Sequence, residues 1–208
     1  MNRSFEQYRA IDLTIMGVIL AVCEFLTANA AAKWFPNELY ALSPTVAVVC
    51  IVMMRWGGYA AIHAVIGGLV YCLTLGGDWK QIVIYCVGNC FMLIALAWFK
   101  FFGKGGKGFR DGKEKVRSKY YFTLLFTINA FLGAQIGRFA VSVALGGSFS
   151  YDAFAAFLVN DIITLLFSVV VVLISRRVDG LFEDQKSYLI RTEEERKREE
   201  NEKSFKNS

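Results

Sequence analysis

Long apolar runs alternate with short polar breaks along this chain, and the runs have the length of membrane-crossing helices. Six stand out, at about residues 13–32, 40–54, 59–75, 81–99, 120–145 and 153–175. A hydrocarbon layer about 30 Å thick takes roughly 20 apolar residues in helical form. The pattern therefore predicts an all-α, polytopic membrane protein with six transmembrane helices. Helix-stopping residues occupy the breaks: Pro36 in the first, Gly57-Gly58 in the second, Gly76-Gly77-Asp78 in the third and Gly146-Gly147 in the last. The second run is the shortest, and Pro44 near its start suits a first helical turn.

Two of the runs carry one strong charge in their middle, Arg138 in the fifth and Asp161 in the sixth. A charge at mid-bilayer costs about 2.5–3.5 kcal/mol on insertion scales, so such residues face a partner, a cavity or a ligand. Arg138 lies nine residues below Gly147 and Asp161 nine below Asp152, which puts both about 13 Å under the same face. The same count places Glu24 nine residues below Lys33, and Asn89 nine below Lys80, with Gln135 and Asn160 nearby. Polar groups of four helices thus share one depth, the pattern of a lined solute pocket. A buried structural ion pair is the plainer alternative.

Charge distribution sets the orientation. Between Phe99 and Tyr120 stand eight basic residues against Asp111 and Glu114, and Arg55 and Arg176-Arg177 end other runs on the same side. Short basic loops remain cytoplasmic, so both termini are expected inside the cell membrane. The net charge of +5 is thereby a topology signal with some affinity for anionic lipid heads, and nucleic-acid binding is excluded. Residues 1–178 form one membrane domain. Residues 179–208 read as a charged, solvated cytoplasmic tail, with Glu193–Lys197 and Glu194–Arg198 spaced to support an exposed helix. The first run imitates a secretory signal, but its full-span length and Glu24 identify it as a retained helix.

The remaining chemistry narrows the field. The five cysteines all lie within apolar runs and contain no CxxC pair, so neither a disulfide framework nor a metal site is expected. His63, the single histidine, reads as a packing residue. HExxH, GxSxG and phosphate-loop signatures are absent, and no enzyme activity or cofactor is expected. Ala60, Ala64 and Gly68 recur at spacing four, as do Asn129, Gly133 and Gly137, and such stripes let helices approach closely.

Met53-Met54-Arg55-Trp56-Gly57-Gly58-Tyr59 leading into the glycine-spaced third run, Tyr85-Cys86-Val87-Gly88-Asn89 in the fourth, and six short spans with small-xxx-small spacing in the first resemble the substrate-binding S components of energy-coupling factor (ECF) transporters. The resemblance covers about residues 10–178. It implies a high-affinity binder of a vitamin or related micronutrient, working with a transmembrane T component and two ABC-type ATPases. The family's helix-one contact motif would fall on Gly17 and Ala21, and Ala60, Ala64 and Gly68 join them as candidate partner-contact residues. The expected substrate set is Glu24, Tyr85, Asn89, Gln135, Arg138, Asn160 and Asp161, with Trp34, Trp79 and Tyr151 closing the pocket from the outer loops alongside Phe35 and Tyr40. Interfacial anchoring is the simpler role for each of those loop aromatics. Two other readings compete: a scaffold subunit whose polar residues only hold helices together, and an intramembrane enzyme using Glu24 or Asp161.

Overall fold

The computed structural model describes residues 5–34, 42–103 and 108–206, without the side chains of Trp34 and of 199–206. Ten α-helices and two 3₁₀ pieces, with no strand, make up the described residues. Helix α1 (Phe5–Trp34) is one continuous rod. Gly17, Leu20, Glu24 and Ala28, at helical spacing, are buried, while Ile15, Val18, Val22, Phe25 and Leu26 form an exposed apolar stripe. A stripe of this kind suits a lipid environment. Phe35 and Tyr40 lie outside the described residues.

Helix α2 (Thr45–Trp56) is buried along its entire length. The chain reverses through a 3₁₀ turn at Gly57–Tyr59 and returns as α3 (Ala60–Thr74). Gly57 has φ +63°, a conformation that favours glycine. A Cβ on Gly67 would stand only 2.6 Å from Thr45 Cγ2, so the two arms are in contact at the start of α2, far from the turn. Twelve residues reach about 18 Å, short of a 30 Å hydrocarbon layer. The second run is thus a wholly enclosed core helix, and Thr45–Thr74 counts once among the apolar stretches of spanning length.

Gly76, at φ +69°, ends α3. A capping box then opens α4 (Trp79–Asn89): Gln81 N–H donates to Asp78 Oδ1 at 2.8 Å, and Asp78 N–H donates to Gln81 Oε1 at 3.2 Å. The rod continues through a seven-residue 3₁₀ segment, Cys90–Leu96, into α5 (Ala97–Phe102). The amphipathic α6 (Phe109–Ser118) precedes α7 (Tyr120–Ala144). The sixth run is broken: α8 (Tyr151–Asn160) and α9 (Ile162–Ser175) meet at Asp161 with a bend of 44°.

By length and apolarity four helical stretches can cross a membrane, or five with the bent pair. The two runs expected at 40–54 and 59–75 account for the difference from six.

Glycines set how closely the helices approach. A Cβ on Gly68 would lie 2.8 Å from the Tyr85 carbonyl carbon, one on Gly88 2.6 Å from Arg138 Cα, and one on Gly133 2.6 Å from the Phe91 oxygen. These positions bring α3 against α4 and α4 against α7, backbone to backbone. The stripe expected for partner contact is consumed here. Ala60 and Ala64 are fully buried, Gly68 faces Tyr85, and Gly17 faces Ile66 and His63. Half-buried Ala21 retains some accessible surface.

The fold does not stop at residue 178, and this corrects the expected free tail. Phe182 is fully buried in the same core as Met54. Arg55 holds Asp12 through two bonds, 3.0 and 2.5 Å, and donates to the Gly180 carbonyl at 2.6 Å. Trp56 Nε1 joins Asp12 at 2.5 Å, and Gln185 Nε2 donates to the Gly180 carbonyl at 2.7 Å. Lys113 pairs with Asp184 at 2.7 Å, and Glu183 sits between Arg117 and Arg191. Burial pushes the Lys113 ammonium below the ordinary lysine range while Asp184 pulls it back up. Beyond this root, α10 (Gln185–Lys206) carries the expected Glu193–Lys197 pair at 3.2 Å.

Phe182→Ala is expected to cost about 3–5 kcal/mol, as for other buried phenylalanines, whereas Glu194→Ala on the exposed face of α10 should leave the thermal midpoint in detergent unchanged. Equal melting of the two variants would show that the root does not belong to the core.

Candidate functional site

The structure draws the mid-run charges into one cluster in the half of the bundle opposite Arg55. Arg138 comes from the middle of α7, where Gly88 allows α4 to press against its backbone. Its Nε donates to Asn89 Oδ1 at 2.8 Å, and its Nη1 pairs with Asp161 Oδ2. Gln135, three residues earlier on α7, donates to the same Asp161 oxygen at 2.8 Å. The guanidinium carbon lies 4.4 Å from the Tyr85 ring centre, and Tyr85 stacks on Tyr71 at 5.0 Å. A cation over a tyrosine face gains electrostatic attraction, so Arg138 meets an amide, a carboxylate and a ring. It is 3% exposed and Asp161 5%.

Asp161 reaches this position because the helix breaks there. Its backbone, at φ −99° and ψ 9°, ends α8 and begins α9. The bend leaves its side chain directed at α7, with Thr164 one turn on holding the Ser43 N–H at 3.0 Å.

Glu24 is fully buried beside this cluster. Ser43 and Thr45 both donate to its Oε2, at 2.8 and 2.6 Å. Its Oε1 has no hydrogen-bond partner among the described residues, nor does Gln135 Oε1. Two enclosed acceptors without donors are unusual, since burying a polar group unpaired costs about 1–3 kcal/mol. Asn89 completes the wall by donating to the Ala64 carbonyl at 3.3 Å.

Between these groups runs a crevice lined by Ser43, Thr45, Tyr71, Tyr85, Arg138 and Asp161, with Gly67, Gly68 and Asn89 at its base, and it is too narrow for a water molecule. Arg138 and Asp161 are bonded to each other across it.

Of the expected site residues, Tyr85, Asn89, Gln135, Arg138 and Asp161 are in direct contact, and Glu24 stands one hydrogen bond behind the crevice wall. Asn160 ends α8 half-buried and away from the lining. Trp79 and Tyr151 are exposed and contribute nothing to the walls. Each is the first residue of its helix, next to a break between apolar runs. Trp34 has no described side chain.

Ser43, Thr45 and Tyr71 line the crevice without having been expected there. Tyr71 was legible, lying three residues beyond Gly68 on the Ala60–Ala64–Gly68 stripe. Ser43 and Thr45 were not, because a hydroxyl beside a proline also reads as ordinary helix-start chemistry.

Comparison with known families, with characterised proteins and with solved structures gives no match to this chain. The geometry therefore carries the functional reading alone.

Removing one member of a buried pair leaves the other charge unsatisfied. Asp161→Ala should lower stability in detergent by about 3–5 kcal/mol, and the double change Arg138→Met with Asp161→Leu should recover most of it. A double variant as unstable as the single one would mean that Arg138 does more for the fold than balance one carboxylate.

Proposed function

We propose that the chain is the solute-binding subunit of an energy-driven uptake system in a cell membrane, of the type that the ECF S components represent. Its cargo is a vitamin-like small molecule. The observation that carries this reading is the meeting of Arg138, Asp161, Asn89 and Gln135 with the stacked Tyr71 and Tyr85 at one level. Four charged or amide groups beside two flat rings match what a polar heterocycle needs: charge-assisted hydrogen bonds at its edge and stacking on its face. The long apolar helices are compatible with a membrane setting.

In this proposal the basic loop helix α6 and the mixed-charge α10 lie in the cytoplasm and the crevice in the outer half. Reading the Thr45–Thr74 hairpin as two arms gives the six-helix count with both termini inside. ATP hydrolysis belongs to partner subunits, a T component with two ATPases, because the chain contains no phosphate-binding loop. The stripe on α1 from Ile15 to Leu26 is the surface left for such a partner or for lipid, since Gly17, Ala60, Ala64 and Gly68 pack internally.

A scaffold subunit without cargo is favoured by one specific observation. Arg138 and Asp161 pair with each other, and the crevice between them is too narrow for a water molecule. The two readings diverge on affinity. Once the cargo is identified, Arg138→Ala and Asp161→Ala should each weaken its binding to the purified protein at least tenfold in a calorimetric titration, about 1.4 kcal/mol. Unchanged affinity in both would reject the site.

A further inference from the structure

We propose that Asp161 is a displaceable counter-ion carried on a gate, and that the cargo bears an anionic group, a carboxylate or phosphate, which takes its place on Arg138. This deepens the solute-binding reading and rests on it.

The argument starts from the walls. With no room for a water molecule, nothing enters the crevice unless one wall moves. Three walls are fixed. Gly67 and Thr45 lock α3 to α2, Gly68 and Tyr85 lock α3 to α4, and Gly88 with Gly133 locks α4 to α7, each with backbone or side-chain atoms already in contact. Parting any of these would open packed core. The fourth side differs: Asp161 alone closes it, and α8, which leads into Asp161, has no buried residue. Against α7 it sets aromatic rings, Phe139 meeting Phe154 at 5.3 Å and Phe157 at 6.5 Å, with Phe149 of the preceding loop at 5.7 Å, and half-buried Leu158 is its contact with the core.

The hinge of that wall is already visible. The chain bends by 44° between α8 and α9, and the residue at the bend is Asp161. Beyond it, α9 is anchored through Thr164 to Ser43 and through buried Ser168, Val172 and Ser175. A swing of α8 about residue 161 therefore moves the carboxylate that holds Arg138 while leaving α9 in place.

Arg138 cannot lose its charge in a protein. When Asp161 swings away, the guanidinium keeps Asn89 and the Tyr85 face but loses its directly bonded anion, the nearby Glu24 being held by Ser43 and Thr45. A solute carboxylate or phosphate supplies one, and its planar body finds Tyr71 and Tyr85. A neutral solute has no equivalent means of balancing Arg138, so the arrangement selects for anions.

The experiment uses full-length protein in detergent and simple anions as probes. Acetate or benzoate, compared with chloride at equal ionic strength, should raise the unfolding midpoint of Asp161→Ala by about 3 °C or more, with benzoate exceeding acetate because it has a ring. Inorganic phosphate in a parallel arm separates the two anion classes. The response should vanish in Asp161→Ala combined with Arg138→Gln. Should Asp161→Ala fail to fold, Asp161→Asn, which retains the side-chain volume, carries the same comparison.

For the gate, Phe139→Cys and Phe154→Cys are joined by a short bismaleimide in the Asp161→Ala protein, with the half-buried Cys23, Cys86 and Cys90 changed to Ser. The joined protein should lose the anion response and the unjoined one should keep it. No rescue by any anion, or equal rescue without Arg138, overturns the counter-ion assignment. Rescue that survives cross-linking overturns the gate. If wild-type protein binds a neutral solute tightly while rescue fails, the anionic class falls and the solute-binding reading stands.

Discussion

The architecture of this half of the molecule depends on one requirement: a guanidinium that cannot be neutralised sits where water does not reach. Satisfying it takes acceptors from three directions, and each acceptor dictates a local feature. Asn89 must stand at the end of α4, close to α7, which only glycine at 88 permits. Asp161 must point inward from the sixth run, and the helix breaks there to let it do so. Tyr85 must lie flat under the charge, so Gly68 brings α3 against the α4 backbone beneath it. The small residues, the bend and the stacked rings are thus consequences of placing Arg138.

A second arginine makes an instructive contrast at the far end. Arg55 is bound by a carboxylate from α1 and by the main-chain carbonyl of Gly180. Backbone acceptors flanked by a buried Phe182 do not leave without unfolding the segment that bears them. That cluster is a fastening, and it extends the core into what composition marks as tail. Around Arg138 the acceptors among the described residues are side chains, and the one carrying charge sits at the bend between the little-buried α8 and the anchored α9. Residues of identical chemistry thereby suit different roles, one holding the fold together and the other poised to exchange its partner.

Much of this was legible in the residues themselves. Apolar run length and helix-stopping breaks mark the helices, and equal counts from each break brought Asn89, Arg138 and Asp161 to one depth, where they do meet. Two features were hidden because they depend on tertiary packing. The short second run reads as a span from its apolarity, yet its whole surface is enclosed by neighbours, which no periodicity reveals. Residues 180–185 look like solvated tail because one phenylalanine among charges carries little weight in composition, whereas docked beside Met54 it is decisive. The loop aromatics Trp79 and Tyr151 are exposed and outside the crevice lining.

The central claim is that the Arg138 cluster exists to receive a solute. Native mass spectrometry of the protein purified gently from its own membrane tests it most directly. The account predicts a small molecule retained by the wild type, bearing an acidic group and released on mild activation, and missing from Arg138→Ala protein handled identically. Bare protein mass in both would contradict it and leave the pair as a structural contact.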